Sequence, residues 1–242
     1  MEMLRTLVRA WKVDDLRRKI VFTLLMLLVF RLGSNIPVPG IDRSILRELF
    51  SGDLGLLSLF DLFSGGAFSN FTIFALSITP YITASIILNL LTIAVPKLEA
   101  LAKEGTEGRK KIAQYTRYLT VVLAFVQAIG LAVGLFREAV PDKSFFNIAV
   151  IVLVLSAGTA FLMWLGEQIT DKGIGNGISL IIFTSTVSRL PISLISTYQM
   201  VFVAQTQSVW SIPIMAIFSI LLIAGVIFID MGERRVPVQY SK

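Results

Sequence analysis

Apolar residues along this chain fall into six runs, at about 20–36, 71–95, 118–136, 146–166, 177–196 and 211–229. A helix needs about 20 such residues to cross a bilayer, so each run predicts a transmembrane helix. Pro37, Pro39 and Gly40 close the first run, and Arg31 lies near enough to its outer end to snorkel. A shorter apolar stretch, 54–63, cannot cross and leads into Ser64-Gly65-Gly66. It reads either as a re-entrant segment or as a helix on the outer surface. In the second run, hydroxyls at Ser77, Thr79, Thr83 and Ser85 surround Pro80, and Asn89 follows. Proline removes one backbone hydrogen bond, which nearby hydroxyls help to replace. That pattern fits a kinked packing helix, or a helix turning polar groups towards a cavity. The predicted fold class is all-α, a polytopic membrane helix bundle.

Charge then gives the orientation. Sixteen of the 22 Lys and Arg lie in four segments: 1–19, 96–117, the stretch at Lys172 and the tail with Arg234, Arg235 and Lys242. By the positive-inside rule these face the cytoplasm, with 37–70, 137–145 and 197–210 outside. An N-terminus and a tail on the same side require an even number of spans. A retained first span is expected, because Arg31-Leu32-Gly33-Ser34-Asn35-Ile36-Pro37 is a poor signal-peptide cleavage site.

Composition agrees. Hydrophobic residues make up 55% and charged residues 16% of the chain, against about 25% charge in soluble domains. The formal net charge of +6 invites a nucleic-acid reading. Its basic residues flank apolar runs, so anionic headgroups or a cytosolic partner, a ribosome included, explain them more simply. With no Cys and no His, disulfides, thiolate chemistry and histidine bases are excluded. The midplanes of the six runs are read as free of Asp, Glu, Lys and Arg, which disfavours an ion-coupled transporter. Gly173-Ile174-Gly175-Asn176-Gly177 lacks the Lys-Ser/Thr of a phosphate loop and reads as a tight turn. No enzyme activity, metal or cofactor is expected.

Several segments are specific when taken together. They are Phe30-Arg-Leu-Gly-Ser-Asn-Ile-Pro-Val-Pro-Gly-Ile-Asp42, Ser64-Gly-Gly-Ala67, Pro80-Tyr-Ile-Thr-Ala-Ser-Ile86, Glu107-Gly-Arg-Lys-Lys-Ile-Ala-Gln-Tyr-Thr-Arg-Tyr118 and Met163-Trp-Leu-Gly-Glu-Gln-Ile-Thr-Asp-Lys-Gly-Ile-Gly-Asn-Gly-Ile-Ser179. In them the chain closely resembles the bacterial SecY family, the pore subunits of the Sec protein-conducting channel.

That resemblance implies ten spans in two inverted halves of five, an hourglass pore sealed by an apolar ring and an outer plug, and a lateral gate to lipid. Carried over by position, the ring falls on Ile78, Ile82, Ile178 and Ile182. The plug falls on about 56–67, with Leu57, Leu59, Phe60, Leu62 and Phe63 as its apolar side chains. Thr83, Ser85, Ile86 and Asn89 match the lateral gate. Arg234 and Arg235 match a loop that docks the SecA motor and the ribosome. Implied partners are SecE and SecG, SecA, the ribosome, signal sequences, unfolded preproteins, lipid and the remaining SecY spans. The implied location is the bacterial inner membrane, with the N-terminus cytoplasmic.

The expected organisation is a cytoplasmic segment 1–19, a five-span first half over 20–196, and an external loop, sixth span and tail over 197–242. Four family spans and half the lateral gate are missing, so this portion alone should not enclose a pore. Two other readings are a small-solute transporter with a broken second span, and a structural membrane scaffold.

Overall fold

The computed structural model describes residues 13–42, 44–46, 61, 64–204 and 208–232. Its helices are α1 (Asp14–Gly33), α2 (Thr79–Ala94), α3 (Pro96–Lys103), α4 (Thr106–Ile129), α5 (Phe145–Lys172), α6 (Gly177–Tyr198) and α7 (Ser211–Asp230). Helix α4 continues as a π-helical turn, Gly130–Leu135, and α6 as another, Gln199–Val203. The chain divides into two compact units, Met1–Arg189 and Leu190–Lys242. The break lies inside α6, a few residues before the expected division at 196.

Where the helices depart from the predicted runs, local chemistry explains it. Helix α1 starts well before the apolar run because Asp14 and Asp15 occupy its first turn, where negative charge suits the helix dipole. They pair with Arg17 at 2.8 Å and Lys19 at 3.2 Å, one turn on. It stops at Gly33, where the Ser34 amide and hydroxyl both donate to the Phe30 carbonyl, at 3.0 and 2.9 Å.

The second predicted span is corrected more deeply. Only Thr79–Ala94 is helical, and Pro80 stands in the first turn instead of kinking a mid-membrane helix. A proline there costs nothing, since that amide has no intrahelical acceptor. Val95 is extended (φ −111°, ψ 112°), Pro96 starts α3, and the two helix axes meet at 100°. Among the described residues, four helices are long and apolar enough to cross a membrane, or five if this bent pair counts as one. The sixth expected span, the first in sequence, is the apolar part of α1, whose N-terminal turns are charged.

Residues 65–78 are not helical, although 71–78 is apolar. Their backbone polar groups are paired inside the protein, which is what buried irregular backbone requires. Val38 donates to the Phe71 carbonyl and Ile73 to that of Ile36, both at 3.0 Å, around an isolated antiparallel bridge between Pro37 and Thr72. Thr72 donates to Ala67 at 2.9 Å, and the Asn70 side chain to Gly66 at 2.8 Å. Phe71 holds a left-handed conformation (φ +44°) that a bulky residue rarely adopts. Its ring is fixed edge-on to Phe136, 5.0 Å between centroids, and Phe68 lies 5.4 Å from the same ring.

This segment joins two apolar clusters in the first unit. One sets Phe68, Phe71, Ala75 and Leu76 against Ala124, Ala128 and Ala132 of α4 and its continuation, and against Ile151, Val152 and Leu155 of α5. The alanines recur every four residues, so they form one face of α4 on which neighbours can approach closely. The other cluster packs Phe30, Ala67, Phe74 and Ile78 on Leu162, Leu165, Ile169 and Ile181. In the second unit, α6 carries Pro191 in its interior, Tyr198 packs on Phe202 at 5.0 Å, and no residue of α7 is buried.

Candidate functional site

Two of the four ring candidates, Ile78 and Ile178, meet in one apolar cluster at the starts of α2 and α6. Ile78 is the N-cap residue of α2 and its carbonyl accepts the Ile82 amide at 3.1 Å, so the two lie one turn apart on one face. Ile178 and Ile182 occupy the same relation in α6. Ile78 is buried, at 1% exposure, in the cluster that contains Ile181, and Ile178 packs on the edge of that cluster. Ile82 is 39% exposed and Ile182 partly buried. The first pair therefore has one member held in packing and one left accessible, whereas Ile178 and Ile182 are both partly buried.

Among the lateral-gate candidates, Ile86 and Asn89 are exposed, while Thr83 and Ser85 are partly buried. The Thr83 hydroxyl donates to the Thr79 carbonyl at 3.0 Å, as hydroxyls inside apolar helices commonly do. The plug residues Leu57, Leu59, Phe60, Leu62 and Phe63, and the tail residues Arg234 and Arg235, lie outside the described residues.

Asp61 and residues 64–69 are described, and they carry chemistry that sequence reasoning missed. Asp61 is buried and forms an ion pair with Arg189 of α6, across 128 residues of chain. Arg189 also donates to the Ser69 hydroxyl at 3.2 Å, while the Ser69 amide donates to Asp61 Oδ1 at 2.8 Å. The Ser64 hydroxyl donates to the Asp61 carbonyl at 3.1 Å and accepts the Phe68 amide at 3.0 Å. At the adjacent position of α6, Arg31 of α1 donates to the Ser188 hydroxyl at 3.2 Å.

Gly65 and Gly66 lie against the same turn of α6 with φ +65° and +92°. A Cβ on Gly65 would stand 2.7 Å from the Ser185 carbonyl oxygen, and one on Gly66 2.8 Å from the Arg189 guanidinium. The backbone conformation therefore demands glycine at both positions, and at Gly65 the space does too, since the atoms met there are backbone.

Arg189 also corrects the reading of a charge-free midplane. Counted over the continuous helix Gly177–Val203, it is the thirteenth of 27 residues. The available signal was that Arg189 is the lone charge of its apolar run and Asp61 the lone charge of 54–63. A charge in an apolar run needs a partner.

At the other end of α6, the glycine-rich sequence is the tight turn it was read to be. Gly175 has φ +72°, Ile174 donates to the Thr23 hydroxyl at 3.1 Å, and Gly177 to that of Thr170 at 2.9 Å. Asn176 caps α6 by accepting the Ser179 amide at 3.2 Å. Nearby, Arg117 of α4 donates to Glu167 of α5 at 2.7 Å. No cluster of metal-ligating residues occurs among the described residues.

Comparison with known proteins places this geometry in a family. The SecY family profile matches residues 72–242. The chain is 48% identical over 248 residues to the protein translocase subunit SecY of Halalkalibacterium halodurans, covering 99% of this chain and 57% of the relative. With the SecY of Bacillus subtilis it shares 44% over 249 residues, covering 99% and 57%. Among solved structures, Sec61 in the canine ribosome–channel complex from the endoplasmic reticulum matches with TM-score 0.56 at 19% identity, over 92% of this chain and 49% of that one. A structure described as that of a protein conducting channel matches with TM-score 0.51 at 22% identity, over 72% and 36%. These two share the fold. The chain spans a little over half the length of the curated relatives it matches, and on profile and identity together it belongs to the SecY family.

Proposed function

We propose that this chain is the N-terminal portion of the central subunit of a bacterial protein translocase. Assembled with the remaining spans, it conducts unfolded polypeptides across the inner membrane and releases apolar segments sideways into lipid. The observation that carries this reading is that Ile78 and Ile178, from helices about a hundred residues apart in sequence, pack in one apolar cluster while Ile82, one turn on, is left accessible. A collar of branched aliphatic side chains fits around a passing chain and offers it no hydrogen bonds. When empty, it closes by dewetting. Arg189 does not favour the small-solute reading, because its charge is matched by Asp61.

A photocrosslinker at position 82 or 182 of the assembled channel should capture a stalled secretory precursor. Capture only by lipid would place both residues on an outer face and remove the pore reading.

In the proposed orientation the N-terminus, 96–117 and the tail are cytoplasmic, SecE and SecG complete the channel, and SecA or the ribosome feeds it. Arg234 and Arg235 would dock that feeder, since guanidinium forks pair bidentately with carboxylates or RNA phosphates. Ser144 and Gln114 are exposed, and Ser144 makes no side-chain cap bond, so both accept a cysteine in a chain that has none. A membrane-impermeant thiol reagent outside the cell should label Ser144→Cys and spare Gln114→Cys. The reverse pattern would invert the topology.

A further inference from the structure

We propose that Thr23 and Thr170 are positioning residues of the apolar collar. Their hydroxyls fix where α6 starts, and so where Ile178 and Ile182 stand. This rests on the channel reading above. Ile178 directly follows Gly177, the first residue of α6, so whatever holds the turn before α6 holds that half of the collar. Two neighbouring helices hold it, one at each end. The Thr23 hydroxyl of α1 accepts the Ile174 amide at 3.1 Å, across 151 residues of chain, and the Thr170 hydroxyl of α5 accepts the Gly177 amide at 2.9 Å.

Both threonines are set to accept. Thr23 donates to the Lys19 carbonyl at 2.8 Å and Thr170 to the Gly166 carbonyl at 2.9 Å. A hydroxyl whose proton is engaged one turn back presents its lone pairs to an incoming amide. Thr23 is buried, so water does not readily take its place. The turn also lies hard against both helices. A Cβ on Gly173 would press on the Thr23 hydroxyl and stand 2.6 Å from the Ile169 carbonyl oxygen, and one on Gly166 would overlap the end of the Ile178 side chain. From Gly177 to Tyr198 α6 is continuous, so a shift at its start carries Ile178 and Ile182 together. Thr120 of α4 supplies the contrast. It donates to the Thr116 carbonyl at 2.7 Å and accepts no amide among the described residues.

The test uses the assembled channel in proteoliposomes. Thr23→Val and Thr170→Val remove the hydroxyl with little change of shape, and each should raise resting ion conductance about fivefold, the population shift that one lost hydrogen bond produces. Thr23→Ser and Thr170→Ser keep the oxygen and should stay within about twofold of the parent. Thr120→Val loses only a local bond and should conduct as the parent does. A second readout does not depend on conduction. Spin labels on Arg18→Cys and Ser179→Cys, both exposed positions in a chain without cysteine, report the distance from α1 to the start of α6. Thr23→Val should broaden that distance distribution, and Thr23→Ser should leave it narrow. Valine variants with parent conductance and an unbroadened distribution would overturn the proposal, as would a rise in conductance without broadening. A rise that Thr120→Val shares, or that tracks lost abundance and thermal stability of the complex, would also overturn it and leave two ordinary structural hydroxyls. Broadening with unchanged conductance would show that Thr23 places α6 but that α6 forms no seal, and it is then the channel reading that fails.

Discussion

Replacing Gly158 by leucine is expected to prevent the chain from accumulating in membranes. Gly158 lies on α5 where the non-helical 65–78 segment crosses it. A Cβ there would collide with the Ile73 carbonyl oxygen and stand 2.9 Å from its carbon. That backbone cannot retreat cheaply, because the Ile73 amide is bonded to the Ile36 carbonyl at 3.0 Å and Phe74 next to it is buried against Phe30. Overpacking a core costs about 1–3 kcal/mol where side chains can yield, and a clash with fixed backbone should exceed about 3 kcal/mol. Helix propensity alone argues the opposite, since glycine inside a helix is worse than alanine by about 1 kcal/mol. Gly130 supplies the contrast, with nothing within 4 Å of an added Cβ. Gly130→Ala should be neutral or slightly stabilising, while Gly158→Ala already destabilises. Membrane abundance and thermal unfolding in detergent read both. Parent-like behaviour of Gly158→Leu would mean that 65–78 does not lie on α5 as described.

Changing Ile82 and Ile182 together to asparagine should raise resting ion conductance of the assembled channel by at least about tenfold, because a constriction that closes by dewetting opens when its lining becomes wettable. The structure sharpens this into a split between members of one ring. Ile82 is accessible, so an amide there meets water and the fold should tolerate it. Ile78 is buried at 1% exposure, and asparagine there would bury an unpaired amide at a cost of about 1–3 kcal/mol. Ile78→Asn should therefore lower the amount of folded channel, whereas Ile82→Asn should alter conductance at normal abundance. If both variants lose abundance alike and neither conducts, the four residues are packing and no collar exists.

The long helices were legible because each holds an apolar run bounded by breakers or charge, and the bundle followed from them, whereas the short charged α3 was not. The tight turn before α6 was legible because its glycines, Asn176 and Thr170 satisfy one another locally. What resisted reading was non-local. Residues 71–78 are as apolar as the helix that follows, and hydropathy does not distinguish a buried helix from a buried irregular strand. Their conformation is set by Ile36, Val38 and Phe136, which lie far off in sequence. Pro80 fits both a kink and a helix start, and the two are separated only by what Ser77 (φ +52°) and Ile78 do before it. The ring positions came from resemblance, since isoleucine spacing alone marks a helix face and not what the face meets. Arg189 and Asp61 were visible as lone charges, yet only the folded chain shows that each answers the other.

The separation between Asp61 and Arg189 has a consequence for biosynthesis. The two are 128 residues apart, and at about 5–20 residues per second a ribosome takes roughly 6–26 s to make the chain between them. Throughout that interval the turn after Asp61 has no α6 to rest on, and the carboxylate has no guanidinium to meet. Phe136, which packs on Phe68, and Leu162 and Ile181, which cluster with Ala67, also emerge late. Until α6 is made, Asp61 has only the local donors of Ser64 and Ser69 for partners. The turn is consequently among the last parts of this unit to settle, although it is made among the first.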